Sequence, residues 1–122
     1  MILLNDFYKM AEFEPAPGAI KAKISINKDH SILEGHFPGL PIVPGVCMMQ
    51  IIREIMEVMS GKDLKLTAAD SMKFLSVINP EQNSEVDVDI SYAEHPDHYT
   101  VNATLFAAAV TFFKLKATMT FS

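Results

Sequence analysis

Hydrophobic and polar residues alternate with a period of two in three stretches of this chain. Ile20, Ala22, Ile24 and Ile26 interleave with Lys21, Lys23, Ser25 and Asn27. Val86, Val88, Ile90 and Tyr92 interleave with Glu85, Asp87, Asp89 and Ser91. Phe113, Leu115, Ala117, Met119 and Phe121 interleave with Lys114, Lys116, Thr118 and Thr120. Successive side chains of a strand point to opposite faces, so each stretch predicts a strand with one wet face. Two further runs read as strands: Met72 to Ile78, closed by Asn79-Pro80, and Tyr99 to Leu105, which follows His95-Pro96-Asp97-His98. The last three strands meet at short connections and are expected to be antiparallel neighbours. Their final turn falls near Ala107-Ala108, where there is no Gly, Asn or Pro.

From Gly45 to Ser60 the period changes. Gln50, Arg53, Glu54 and Glu57 recur at spacings of three and four, a single polar stripe on a helix. Met48, Met49, Ile51, Ile52, Ile55, Met56, Val58 and Met59 cover the rest, so this helix should be wrapped by other structure. Pro44 suits its cap or first turn, and Gly61 its stop. One buried helix with about five strands predicts an α+β domain, a curved antiparallel sheet around a central helix. Residues 1–14, with Phe7, Tyr8, Met10 and Phe13, read as a short helix or packed arm broken at Pro15-Ala16-Pro17-Gly18. There is no internal repeat, low-complexity run or linker, so residues 1–122 are expected to form one domain.

Composition narrows the function classes. The formal charge of -5 argues against nucleic-acid binding, which needs a basic surface. No window reaches the ~18 consecutive apolar residues of a membrane span. The N-terminus lacks the basic region and long apolar run of a secretory signal. The single cysteine, Cys47, cannot form an intrachain disulfide, so a cytoplasmic location is expected.

The chemistry concentrates in Gly35-His36-Phe37-Pro38-Gly39-Leu40-Pro41-Ile42-Val43-Pro44-Gly45-Val46. His36 carries a side chain able to move protons near neutral pH. The helix start at Gly45 offers unpaired N–H groups to a developing negative oxygen. Pro38, Pro41 and Pro44 leave the loop few conformations, which would hold the two in fixed relation. A polyproline recognition segment is the competing reading of that period; Leu40, Ile42 and Val43 argue instead for burial. Cys47 is expected to be a small core residue, and His95 and His98 exposed turn residues rather than a metal pair. Neither metal nor organic cofactor is expected.

The order of elements and this loop resemble the hot-dog fold, and more narrowly the 3-hydroxyacyl-acyl-carrier-protein dehydratases. Gly35-His36-Phe37-Pro38, Pro41 and Pro44-Gly45-Val46 stand at the family spacing, with a Lys73-Phe74 strand after the helix. The resemblance runs roughly from Ala19 to Thr120. It implies that His36 acts on the proton alpha to a thioester. The Gly45 N–H would bind the thioester oxygen as it gains charge, and Phe37, Pro44, Gly45 and Val46 would line the substrate site. It also implies a dimer, with histidine and acid contributed by different subunits and the acyl chain in an apolar tunnel at their interface.

The departure from the family lies on the helix. Five residues after Gly45, where the family has its acid, stands Gln50. A carboxamide is no proton donor near neutral pH, and general-acid help is typically worth ~10²–10⁴ in rate. Glu54, Glu57 and Glu34 are the acids near enough in sequence to stand in. The expected function is therefore a dehydratase-like protein of acyl-chain biosynthesis. Its alternatives are a catalytically incomplete subunit paired with an acid-bearing homologue, an acyl-binding module, or a hot-dog thioesterase. Expected partners are an acyl carrier protein or coenzyme A thioester, and an identical or related second subunit. Lys62, Lys65 and Lys73 are the candidate contacts for an acidic carrier.

Overall fold

A computed structural model describes residues 2–36 and 41–122. Its elements run β1 (Tyr8–Ala16), β2 (Ala19–Ile26), α1 (Ile32–His36), α2 (Gly45–Ser60), β3 (Leu64–Phe74), β4 (Glu85–Glu94), β5 (His98–Ala107) and β6 (Val110–Phe121). All six strands form one antiparallel sheet in the order β1-β2-β4-β5-β6-β3. The three alternating stretches are β2, β4 and β6. Their apolar residues, together with Val101, Ala103 and Leu105 of β5, are buried on the face that packs on α2, except Tyr92 and Phe121, which are half-buried at its margin. On α2 itself Cys47, Met48, Ile51, Ile52, Ile55 and Met56 are buried. Pro44 caps its start in an extended conformation, and Gly61 ends it at φ 68°, donating its N–H to Glu57 O. No helix among the described residues is long and apolar enough to cross a membrane.

Two expectations are corrected. The short helix or arm over 1–14 is a hydrogen-bonded turn through Leu3–Tyr8 that leads into strand β1. β1 is an edge strand, mostly exposed, and its register shifts between Met10 and Glu12, so it never shows a clean alternation. The strand expected over 72–78 instead runs from Leu64 to Phe74, with two register shifts against β6 hiding its period. Beyond it, Val43 N donates to Ile78 O at 2.9 Å, tying the chain after β3 to the approach to α2.

The polar stripe of α2 is not a solvated face. Glu54 is only 5% exposed. Its carboxylate accepts hydrogen bonds from Leu3 N and Leu4 N (2.8 Å each), the Tyr8 hydroxyl (3.0 Å) and Gln50 Nε2 (2.6 Å). Burial, and then the Glu54 charge, push the Tyr8 hydroxyl far above its ordinary pKa, which keeps it a donor. Glu54→Ala would leave these donors buried without an acceptor. A destabilisation of about 3 kcal/mol is expected by denaturant unfolding. Tyr8→Phe, which removes one donor and leaves the others paired, is expected to cost about 1 kcal/mol.

The β5–β6 turn carries its own strain. Ala108 sits at φ 50°, a region in which a Cβ crowds the backbone. Ala108→Gly should raise stability by about 0.5–1 kcal/mol, and an unchanged or lowered melting temperature would contradict this origin of strain.

Candidate functional site

Pro44 leaves α2 without a side-chain cap. The first N–H groups returned to Pro44 O are those of Cys47 (3.0 Å) and Met48 (3.3 Å). The N–H groups of Gly45 and Val46 have no acceptor among the described residues. No acid occupies the first turn, so the positive end of the helix dipole is uncompensated there.

That helix start opens on an apolar groove of about 420 Å³. Pro44, Gly45 and Met48 form one wall; Phe74, Leu75 and Val77 form the other. Glycine at 45 lets the Phe74 ring lie directly against the helix start. A Cβ there would lie 2.7 Å from Phe74 Cε1, and the Phe74 ring is itself packed on Phe113 at 4.8 Å between centroids. Around the groove Val46, Met72, Phe74, Leu75 and Val77 remain 43–59% exposed, an uncovered apolar surface beside the unpaired edge of β3.

Gln50 does not line this groove. Five residues along a helix is about 140° of rotation from Gly45. There its carboxamide is held on both sides: Nε2 donates to Glu54 Oε2, and Oε1 accepts from Arg53 Nη2 at 2.9 Å. Arg53 in turn donates to Leu64 O at 3.0 Å, at the start of β3. The three stand-in acids are placed as follows. Glu54 is committed to the N-terminal segment, and Glu57 accepts from Leu64 N at 2.9 Å. Glu34 is exposed on α1. The His36 side chain and Phe37 lie outside the described residues; the backbone of His36 closes α1.

Other singled-out residues divide. Cys47 is buried, and burial followed by the Glu54 charge raises its thiol pKa, so it is a poor nucleophile. His95 and His98 stack with centroids 4.3 Å apart in the β4–β5 turn, and His98 pairs with Asp97 at 2.7 Å. That contact with His98 holds the Asp97 carboxyl below its usual range. Among the described residues no group of three or more His, Cys, Asp and Glu side chains is arranged to hold a metal. Lys62, Lys65 and Lys73 do not form one patch. Lys62 lies over the Phe121 ring at 4.0 Å, and Lys65 pairs with Thr120 at one end of β3, whereas Lys73 pairs with Lys114 at the other. Lys73, Lys114 and Lys116 instead share a depression of about 440 Å³ in the sheet, lined as well by Ile20, Ile90 and Leu115. It lies away from the open amides at the start of α2, so the groove at the helix start is the better match to thioester chemistry. Three features escaped the sequence reading: the burial of Glu54, the Phe74 ring against Gly45, and His30, treated below. The Glu54 stripe has the spacing of a solvated one, and only the N-terminal turn, with its two inward N–H groups, distinguishes them.

A six-stranded antiparallel sheet packed on one long helix, with the helix start open on a groove, is the hot-dog fold. The chain belongs to the ApeI-like dehydratase family, whose model, described as ApeI dehydratase, matches residues 12–111. It is similar to the 3-hydroxyacyl-[acyl-carrier-protein] dehydratase FabZ of Latilactobacillus sakei, with 29% identity over 98 residues covering 74% of this chain and 66% of that protein. To FabZ of Lactobacillus helveticus it is 31% identical over 80 residues, 59% of this chain and 53% of the relative. The matches thus span between half and two thirds of these relatives. Among solved structures it resembles a chain of the dehydratase heterocomplex ApeI:P from Xenorhabdus doucetiae, with TM-score 0.73, 18% identity and coverage of 91% and 96% of the two chains. At that identity the likeness concerns the fold.

Because the Phe74 ring is half-exposed, it can swing aside. Gly45→Ala should therefore change the unfolding free energy by less than about 1 kcal/mol while narrowing the groove. Weaker binding of a long-chain acyl thioester at nearly unchanged melting temperature is the expected result. Unaltered acyl binding would place the ligand elsewhere.

Proposed function

We propose that this chain is the histidine-bearing subunit of a dehydratase acting on 3-hydroxyacyl thioesters, completed by an acid from a second, related hot-dog subunit. The observation that carries this reading is the contrast between the start of the site's helix and the position about a turn and a half further along it. Its start is uncapped and opens on an apolar groove, while its expected acid is a carboxamide already held by Glu54 and Arg53. Family membership supports dehydration as the reaction class.

In this reading His36 removes the proton alpha to the thioester carbonyl. The carbonyl oxygen gains negative charge, and the N–H of Gly45, aided by the helix dipole, stabilises it. The partner's acid protonates the 3-hydroxyl, which leaves as water, and the product is the 2-enoyl thioester. The net change is loss of one water, with the proton taken by the imidazole available to restore the acid. The exposed apolar surface of Met72, Phe74, Leu75 and Val77 beside the β3 edge suits burial under the second subunit. A hetero-assembly is the state named for the ApeI:P structure, which supports a mixed pair here. The substrate would arrive on an acyl carrier protein or coenzyme A, with Lys73, Lys114 and Lys116 available to an acidic carrier.

The test is a spectroscopic dehydration assay on the chain alone and mixed with acid-bearing homologues from the same host. Alone, turnover should fall ~10²–10⁴ below a complete dehydratase. The mixture should be active, and His36→Ala in this chain should abolish that activity. Full activity of the lone chain would remove the need for a second subunit. An inactive mixture, or one indifferent to His36→Ala, would remove the dehydratase reading.

A further inference from the structure

The geometry points to His30 as a positioning residue for His36, acting through α1. His30 Nδ1 accepts the Ile32 N–H at 3.1 Å, the first amide of the helix that ends at His36. The backbone of the same residue accepts the next amide, Leu33 N, also at 3.1 Å. With Nδ1 accepting, the ring proton sits on Nε2 and points to Asp6 Oδ2 at 3.1 Å. The ring packs nearly perpendicular to that of Phe7, with centroids 5.3 Å apart and planes at 87°. The His30 side chain is 13% exposed, and Phe7 is fully buried. Both ring nitrogens are thus engaged and the ring is packed against Phe7, so the imidazole has one orientation.

The other end of this contact chain is equally fixed. Asp6 and Phe7 lie in the turn whose Leu3 and Leu4 amides and Tyr8 hydroxyl are bound by Glu54 of α2. Asn27 adds a clamp, donating its N–H to Phe7 O at 2.8 Å, while its carbonyl accepts from His30 N at 3.2 Å. The N-terminal turn therefore bridges the two helices of the proposed site. It grips α2 through Glu54 and α1 through His30. A helix of five residues cannot hold its own position by backbone bonds alone. Its placement, and with it the point from which His36 leaves α1, is set by these contacts.

The inference rests on His36 being the proton-moving group, and the test keeps the two apart. His30→Ala and His30→Asn would be compared in the active assembly, with the His36 imidazole observed by NMR. Asparagine at 30 keeps an oxygen that can accept the Ile32 N–H in an Asx turn, whereas alanine does not. We expect His30→Ala to lower kcat by about 10-fold to 100-fold with little change in KM, and to shift or broaden the His36 resonances. His30→Asn should recover most of kcat and sharpen them. Equal loss in both variants, or a His36 spectrum indifferent to His30→Ala, overturns the positioning role. If His36→Ala leaves activity intact while His30→Ala still moves the His36 resonances, the catalytic reading fails and the positioning stands.

Discussion

One carboxylate holds the functional end of this molecule together. Glu54 sits inside the domain, on the only long helix among the described residues, and gathers four donors onto two oxygens. A buried charge is tolerated only when its lone pairs are filled, and here backbone amides, a phenol and a carboxamide fill them. The consequence is mechanical. The N-terminal turn cannot leave α2 without stranding that charge, and β1 follows directly from the turn. The outer edge of the sheet, the turn that touches His30, and the α2 face that holds Gln50 all refer back to the same group.

That commitment also decides what Glu54 does not do. By spacing alone it is a candidate to stand in for the acid that the family resemblance leads one to expect at position 50, since it lies one turn along the same helix. A general acid must present a proton to substrate. The Glu54 oxygens are surrounded by donors and turned toward the N-terminal segment, so the side chain acts as an acceptor. Gln50 fits this surrounding better than a carboxylic acid would. Its amide group gives the donor that Glu54 requires, and its oxygen accepts the donor that Arg53 presents. An ionised glutamate at 50 would face Glu54 at hydrogen-bond distance inside the protein, where one of two such carboxyls must keep a proton.

The parts legible in the sequence were those with a clean period. β2, β4 and β6 alternate because one face of each packs on α2 and the other meets water. The helix from Gly45 to Ser60 announced itself by its apolar circumference and its Pro44 and Gly61 punctuation. β1 was hidden because an exposed edge strand with a register shift has no two-sided pattern to read. The boundaries of β3 were hidden by its two irregularities against β6. At the groove, Pro44 and Gly45, which the loop motif singled out, are among the lining residues. The Phe74 ring that lies against Gly45 was not legible, because that contact joins β3 to α2 across the fold. His30 carries no motif at all; its role exists only once Asp6, Phe7 and the start of α1 are brought together.

The uncovered surface around the groove follows from the same architecture. α2 shields the inner face of the sheet along most of its length, but at its own N-terminus it has no further turn with which to cover the end of β3. Phe74 and Leu75 are therefore left half-exposed at the place where the helix amides open. An oxyanion-binding amide is strengthened by a dry, low-dielectric surrounding. The chain supplies the amides and both walls of the groove, and leaves its mouth open. A second subunit seated on that surface would exclude water from the groove and bring a side chain opposite the helix start in one event. In the reading proposed above, water exclusion and the supply of an acid would be two effects of that one contact, so the loss of the carboxylate on α2 would not by itself require the helix start to change.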